Sequence, residues 1–311
     1  MSRLLTLGWD GAQVGPQATG TFHTLTVFAA IFVLMASTIA AGLEQSTVDG
    51  EPSRAEEKAD EKLAGALPAK ETMLAAYAGA PHTYPSPVRV KNGKETDFTI
   101  DAVHWYARPF KSPIYYGARV ARWFAGGKTG MMVDFIHSKA MARLDEEASF
   151  SGKLNGEPLP PRARISNLIK KLEFSHGHNM LTLNGLLRLP NIGPRVSPYL
   201  GAGAGVLLPH TEFELVNGQR TYEYNFAGPA AQALFGLEFR LSRMSVFIEY
   251  KFTYGQYEAP LSRMDGSWLF LDMWRQIQRW VSGVQPAGGH VSTRIASHQL
   301  VGGLAVRFAA P

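Results

Sequence analysis

Histidines and carboxylates are where any chemistry of this 311-residue chain must reside, because it contains no cysteine. That excludes disulfides, zinc–thiolate centres, iron–sulfur clusters and cysteine nucleophiles. Of its nine histidines, His82, His137, His176, His178 and His210 fall at or near the ends of apolar stretches. Asp134 precedes His137 by three residues, Glu173 precedes His176 by three, and Glu212 follows His210 by two. Imidazole mixed with carboxylate suits iron, copper or zinc, and imidazole alone moves protons near neutral pH. The plain alternative is that these are interfacial or loop histidines with no ligand. His137 shares the parity of Val133 and Phe135, which sends it towards lipid unless the strand is bulged. His104, His290 and His298 have no such companion. Ser138 adjoins His137, but neighbouring strand residues point to opposite faces, so the two make no nucleophile–base pair of the kind a deacylase or acyltransferase needs.

The elements that must position these groups are strands. Beyond Glu71 the sequence alternates large apolar with small or polar residues in segments of barrel-strand type, separated by turn signals. The reading gives strands at 72–82, 114–124, 130–143, 171–189, 196–213, 220–241, 244–257 and 294–308. In the last, Leu300, Leu304, Val306 and Phe308 share a face, opposite Gln299 and Arg307. In the seventh, Val246, Ile248 and Tyr250 oppose Phe247, Glu249 and Lys251. Connections after even-numbered strands are short and those after odd-numbered strands mostly long, the asymmetry of bacterial outer-membrane barrels. The expected fold is therefore all-β: an eight-stranded antiparallel transmembrane β-barrel with long extracellular loops, monomeric, in the bacterial outer membrane. Its filled lumen would hold Arg119, Asp134, Asn184, Arg188, Gln232, Glu238, Arg240, Glu249, Lys251, Gln299 and Arg307, with both signs present to pair. Gly201, Gly203 and Gly205 would make room for bulky neighbours on the lumen face.

Composition agrees. Hydrophobic residues make up 45% and charged residues only 18%, against roughly 25% charged in soluble domains. The net charge of +5 is scattered, with no patch or basic helix, so nucleic acid is not an expected partner and membrane lipids are. Residues 1–42 read as an export signal around the apolar run 24–41, with an uncleaved inner-membrane anchor as the alternative. Residues 43–70 read as an acidic flexible spacer, and 71–311 as the barrel. Within the last long loop, 266–283 has helical spacing of aromatic and apolar residues: either a helix in the membrane interface or one packed over the barrel mouth.

Several strings resemble the small outer-membrane lipid A oxidases of rhizobia. They are Tyr77-Ala78-Gly79 with Pro81-His82, YYGAR from Tyr115, VDFIHSK from Val133, LTLN from Leu181, PYLGAGAGVLLPHTE from Pro198, TYEYNFAGPAAQ from Thr221 and FIEYKFTY from Phe247. The resemblance spans roughly residues 73–308 and implies O2-dependent oxidation of the reducing-end glucosamine of lipid A to 2-aminogluconate, releasing hydrogen peroxide. Lipopolysaccharide is then the expected partner. The strings contain His82, His137, His210, Glu212 and Glu249, the candidate catalytic set, with Arg119, Lys139, Trp274 and Arg275 as candidate substrate contacts. Side chains are poor one-electron reagents, so a redox metal, iron or copper, is expected on His82, His137 and His210. The competing reading is a non-enzymatic structural barrel whose loops bind partners or lipid.

Overall fold

The computed structural model describes residues 70–124 and 126–309. The export segment and nearly all of the spacer lie outside the described residues. Sixteen strands and one α-helix follow in chain order. The wall is built from β1 (Glu71–Thr83), β5 (Tyr116–Trp123), β6 (Thr129–Ala142), β10 (Ile169–Arg188), β11 (Val196–Leu207), β14 (Gly228–Leu241), β15 (Met244–Pro260) and β16 (His290–Ala309). Each pairs antiparallel with the next, and β16 returns to β1 through a register running from Glu71↔Ala309 to Thr83↔Ser297. Eight strands close into a barrel with no free edge, so every wall amide has a partner without water, as a bilayer demands.

Side-chain alternation matches that demand. Val120, Val133, Leu183, Leu200, Phe235 and Ile248 are all exposed on the outer surface. A soluble protein would bury them; here they form a belt for acyl chains, with Tyr250 and Tyr254 exposed among them. The tight connections 124–128, 189–195 and 242–243 lie at the end where the barrel begins at Glu71, and the long ones at the other.

Those long connections carry more structure than the sequence reading gave them. The stretch expected as a loop after β1 contains β2 (Ser86–Asn92), β3 (Thr96–Val103) and β4 (Trp105–Tyr106), and the one after β6 contains β7 (Glu147–Leu154), β8 (Glu157–Pro158) and β9 (Arg162–Arg164). The outer half of β16 pairs with β2, β2 with β3 and β3 with β7, extending the wall beyond the apolar belt. Val88, Val90, Phe98, Ile100, Val291 and Ile295 are all but fully buried beneath it. The expected strands 196–213 and 220–241 each break in two, giving β12 (His210–Leu215) and β13 (Thr221–Tyr224). Pro209, with no amide hydrogen to give a ladder, sits at the first break. β12 then pairs with the start of β10 and with β13.

The lumen is filled by two ionic layers. In the middle, Arg119 donates to both carboxylate oxygens of Glu249 at 2.8 and 2.9 Å. Lys251 donates to Asp134 at 2.6 Å and to the Tyr77 hydroxyl at 2.7 Å. Tyr77 and Gln232 also donate to Asp134, and Tyr199 donates to Glu249. At the turn end, Glu71 accepts from Arg188 and, at 2.7 Å, from Arg240, while the Arg188 guanidinium lies 3.9 Å from the centre of the Trp123 ring. Buried charges persist only when paired and hydrogen-bonded in this way.

Candidate functional site at the outer rim

Just above the apolar belt, the outer face of β6, β10, β12 and β13 changes character. His137 keeps the outward parity of Val133, and its part of β6 carries no bulge; the irregularity is in β10, where two extra residues lie between Phe174 and His178. The polar position is resolved by covering. The His137 ring stacks on Tyr116 at 4.5 Å and 12°, and its Nδ1–H donates to Asn179 Oδ1 at 2.8 Å. The β10 irregularity brings His176 towards β12, with its ring 5.3 Å from that of His210. His210 in turn packs edge-on against Tyr222 at 4.2 Å and Tyr224 at 4.5 Å, and its Nε2–H donates to the carbonyl of Gly266 at 3.1 Å.

Two consequences follow for the chemistry. Each of His137 and His210 has one nitrogen tied to an oxygen acceptor, which fixes the tautomer, and His137 Nε2 and His210 Nδ1 have no hydrogen-bond partner. Each is a bare lone pair on a buried imidazole. Burial pushes His210 down to about 3, with His176 and Arg220 adding repulsion, so it is neutral at physiological pH. Burial likewise pushes the Tyr224 hydroxyl up to about 12, keeping it a proton donor. Around these rings lie ionic groups of both signs. Lys139 donates to the carbonyls of Lys111 and Ser112 at 2.9 and 3.1 Å. Lys171 pairs with Glu173 at 3.2 Å, and Arg220 pairs with Glu212 at 3.4 Å while lying 4.5 Å over the Tyr222 ring. Burial raises the Glu212 carboxyl above its ordinary value, against the pull of Lys171.

The residues expected from sequence separate into three groups. His137, His210, Glu212 and Lys139 share this rim. Arg119 and Glu249, expected at substrate, are bonded to each other with no side-chain exposure in the lumen, which corrects that expectation. The cause is parity: both point inward, where only a buried counter-ion stabilises them. His82 is exposed on β1 and packs on Tyr84 at 5.5 Å, next to His298. Trp274 and Arg275 lie on α1 (Leu269–Ser282), Trp274 exposed and Arg275 paired with Asp272 at 3.5 Å. His176, one of the histidines singled out from sequence, joins them, and Tyr116, Tyr222 and Tyr224 complete the site unforeseen; the TYEY string was in view, but only the fold brings it to His210. His178 points inward instead, its ring 5.4 Å from that of Tyr257.

A three-histidine metal centre does not fit this arrangement. His137 and His210 each offer a bare nitrogen, but His82 is not beside them, and among the described residues no three His, Cys, Asp or Glu side chains are grouped to hold a metal ion.

A closed antiparallel barrel with an outward apolar belt, a charge-filled lumen, short turns at one end and long extensions at the other is an outer-membrane β-barrel protein of Gram-negative type. No family model and no curated protein matches the chain. Among solved structures it is similar to neisserial surface protein A (9% identity, 77% of this chain and 97% of that one, TM-score 0.33). It is also similar to the outer membrane protein OprG from Pseudomonas aeruginosa (9% identity, 79% and 99%, TM-score 0.35). A third is the outer membrane protease OmpT from Escherichia coli (8% identity, 76% and 97%, TM-score 0.34).

Proposed function

We propose that this barrel is a lipid A-modifying enzyme acting from its outer rim, and that its reaction is the one the sequence resemblance implies: O2-dependent oxidation of the reducing-end glucosamine. The observation that carries the reading is the direction the site faces. His137, His176, His210, Tyr222 and Tyr224 lie on the outer side of the wall directly above the apolar belt, the depth at which lipid headgroups sit, and not in the lumen or over the mouth. A lipid already resident in the outer leaflet reaches them by lateral diffusion.

The reaction balances as a two-electron oxidation. The C1–H bond and the C1 hydroxyl O–H of the hemiacetal are broken and C1 becomes a lactone carbonyl. O2 takes the two electrons and two protons as hydrogen peroxide, and water opens the lactone to 2-aminogluconate. The chain's own contribution in this reading is positioning and proton transfer. The bare nitrogen of neutral His137 or His210 accepts the hydroxyl proton, the Tyr224 hydroxyl holds the β10 irregularity beside them by donating to the His176 carbonyl at 3.4 Å, and Lys139 with Arg220 attracts the anionic groups of the headgroup.

Mass spectrometry of lipid A from deleted and complemented cells tests it. Complementation should add one oxygen atom to the lipid A mass, and His137→Ala and His210→Ala should abolish that gain while the barrel still shows heat-modifiable gel mobility. A profile identical in deleted and complemented cells would leave a non-enzymatic barrel with partner-binding loops as the function.

A further inference from the structure

The helix α1 is amphipathic in the reverse sense from a soluble helix. Its buried residues are Asp272 and Gln276, whereas Phe270, Trp274, Ile277 and Val281, spaced as one continuous stripe, are exposed, Phe270 at 86% and Val281 at 84%. A helix packed over a barrel mouth turns its apolar stripe inward. Here the polar stripe is the one bonded to the protein.

Those bonds fix where the helix lies. β13 pairs with β12 along one edge; along the other, Tyr222 is bridged to Asp265, and past it no strand continues the pairing. Asp272 accepts from the Tyr224 amide at 3.2 Å. One helical turn on, Gln276 accepts from the Phe226 amide at 2.7 Å and donates to the Phe226 carbonyl at 2.9 Å. Residues two apart on a strand edge and four apart on a helix have similar spacing, so two polar side chains replace a missing neighbour strand. Lateral orientation follows from the flanks. Arg279 pairs with Glu223, which has the inward parity of Thr221, at 3.0 Å, and Trp280 packs edge-on against Phe226, which has the outward parity of Tyr222 and Tyr224, at 5.8 Å. The aromatic side of α1 is thus the outer side of the wall, and Phe226 stands two residues before β14, whose outward face carries large exposed apolar residues from Phe235 on. Gly283, at φ 67°, ends the helix in the left-handed conformation that glycine adopts without strain.

We infer that α1 is a membrane-interface helix, held by its polar stripe to the β13 edge and seating Phe270, Trp274, Ile277 and Val281 among the acyl chains of the outer leaflet. The occupant is lipid because the exposed apolar stripe lies on the outer side of the wall, the side that carries the barrel's apolar belt, while the polar stripe is bonded to the protein. This stands apart from the oxidase reading, since it requires neither lipid A nor turnover.

The test is tryptophan fluorescence of the full chain reconstituted in phosphatidylcholine vesicles whose acyl chains carry bromine near the headgroup, a contact quencher. Trp105 and Trp123 are buried in the protein, and Trp9 and the exposed Trp268 are replaced by Phe in every protein compared, the reference called wild type included. Brominated lipid should quench the wild type well beyond the level in unbrominated vesicles, and most of that quenching should be lost in the Trp274→Phe/Trp280→Phe variant. A second variant, Ile277→Glu/Val281→Glu, should keep the heat-modifiable mobility of a folded barrel yet lose quenching, as its helix leaves the leaflet. Equal quenching of wild type and the double Phe variant, or strong quenching by aqueous iodide in vesicles, would overturn the inference, as would a Glu variant quenched as fully as wild type.

Discussion

Arg119, Lys251, Asp134 and Glu249 have side chains with no solvent exposure, so removing one strands its partners. Arg119→Ala leaves Glu249 with only Lys251, at 3.6 Å, as counter-ion. It should lower barrel stability by about 3–5 kcal/mol, read from the urea concentration at which the unheated gel band is lost, and Arg119→Ala with Glu249→Gln should recover part of the loss. His210 gives a prediction of opposite electrical sense. Its folded pKa of about 3 lies below the unfolded value of about 6.5, so the stability it supports is whole above the unfolded value and declines as pH falls towards the folded one. The decline is at most about 1.4 kcal/mol per pH unit. The protection factors of the Tyr222 and Tyr224 amides, exchange measured relative to the intrinsic rate at each pH, should therefore fall between about pH 6 and pH 4, and a His210→Phe variant should lose that pH dependence.

At the scale of elements, β11 runs so close to β10 that its inward glycines are obligatory. A Cβ at Gly205 would collide with the Leu181 carbonyl, and one at Gly203 with the Leu183 carbonyl, both backbone atoms of β10 that no rotamer change moves aside. Gly205→Ala should therefore weaken the β10–β11 pairing, giving a lower urea midpoint than Ala202→Gly, whose side chain faces outward. The wall strands were legible because parity repeats along a whole strand: Val246 to Tyr250 outward and Phe247 to Lys251 inward leave one register that satisfies both lipid and lumen. β2 and β3 were not read, although Val88 and Val90 alternate with Arg89 and Lys91. Short polar-flanked strands carry the same signal as an ordered loop until β16 is known to continue beside them. The site was half legible for a related reason. His137, His176 and His210 stood out by type, but what brings His176 to the other two is a pair of extra residues in β10 whose position no pattern announces. Arg119 and Glu249 had the correct inward parity in the sequence, and that parity was already at odds with a role at substrate.

Taken as one body, the barrel separates its labours by depth. The lumen holds ion pairs, the belt holds mostly apolar side chains, and His137, His176, His210, Tyr222 and Tyr224 lie on the outer side above the belt. The two ionic layers, with Trp123 beneath Arg188 and Tyr77 beside Lys251, leave the interior occupied from the turn end to the middle. Reconstitution into a planar bilayer should therefore give no stepwise conductance, whereas a variant thinned at several lumen positions, Arg119→Ser with Tyr77→Ser and Glu249→Ser, should give current steps if it inserts.

That plugged interior has a bearing on cell physiology. A barrel filled in this way can be made in many copies without opening an aqueous path for small solutes across the envelope.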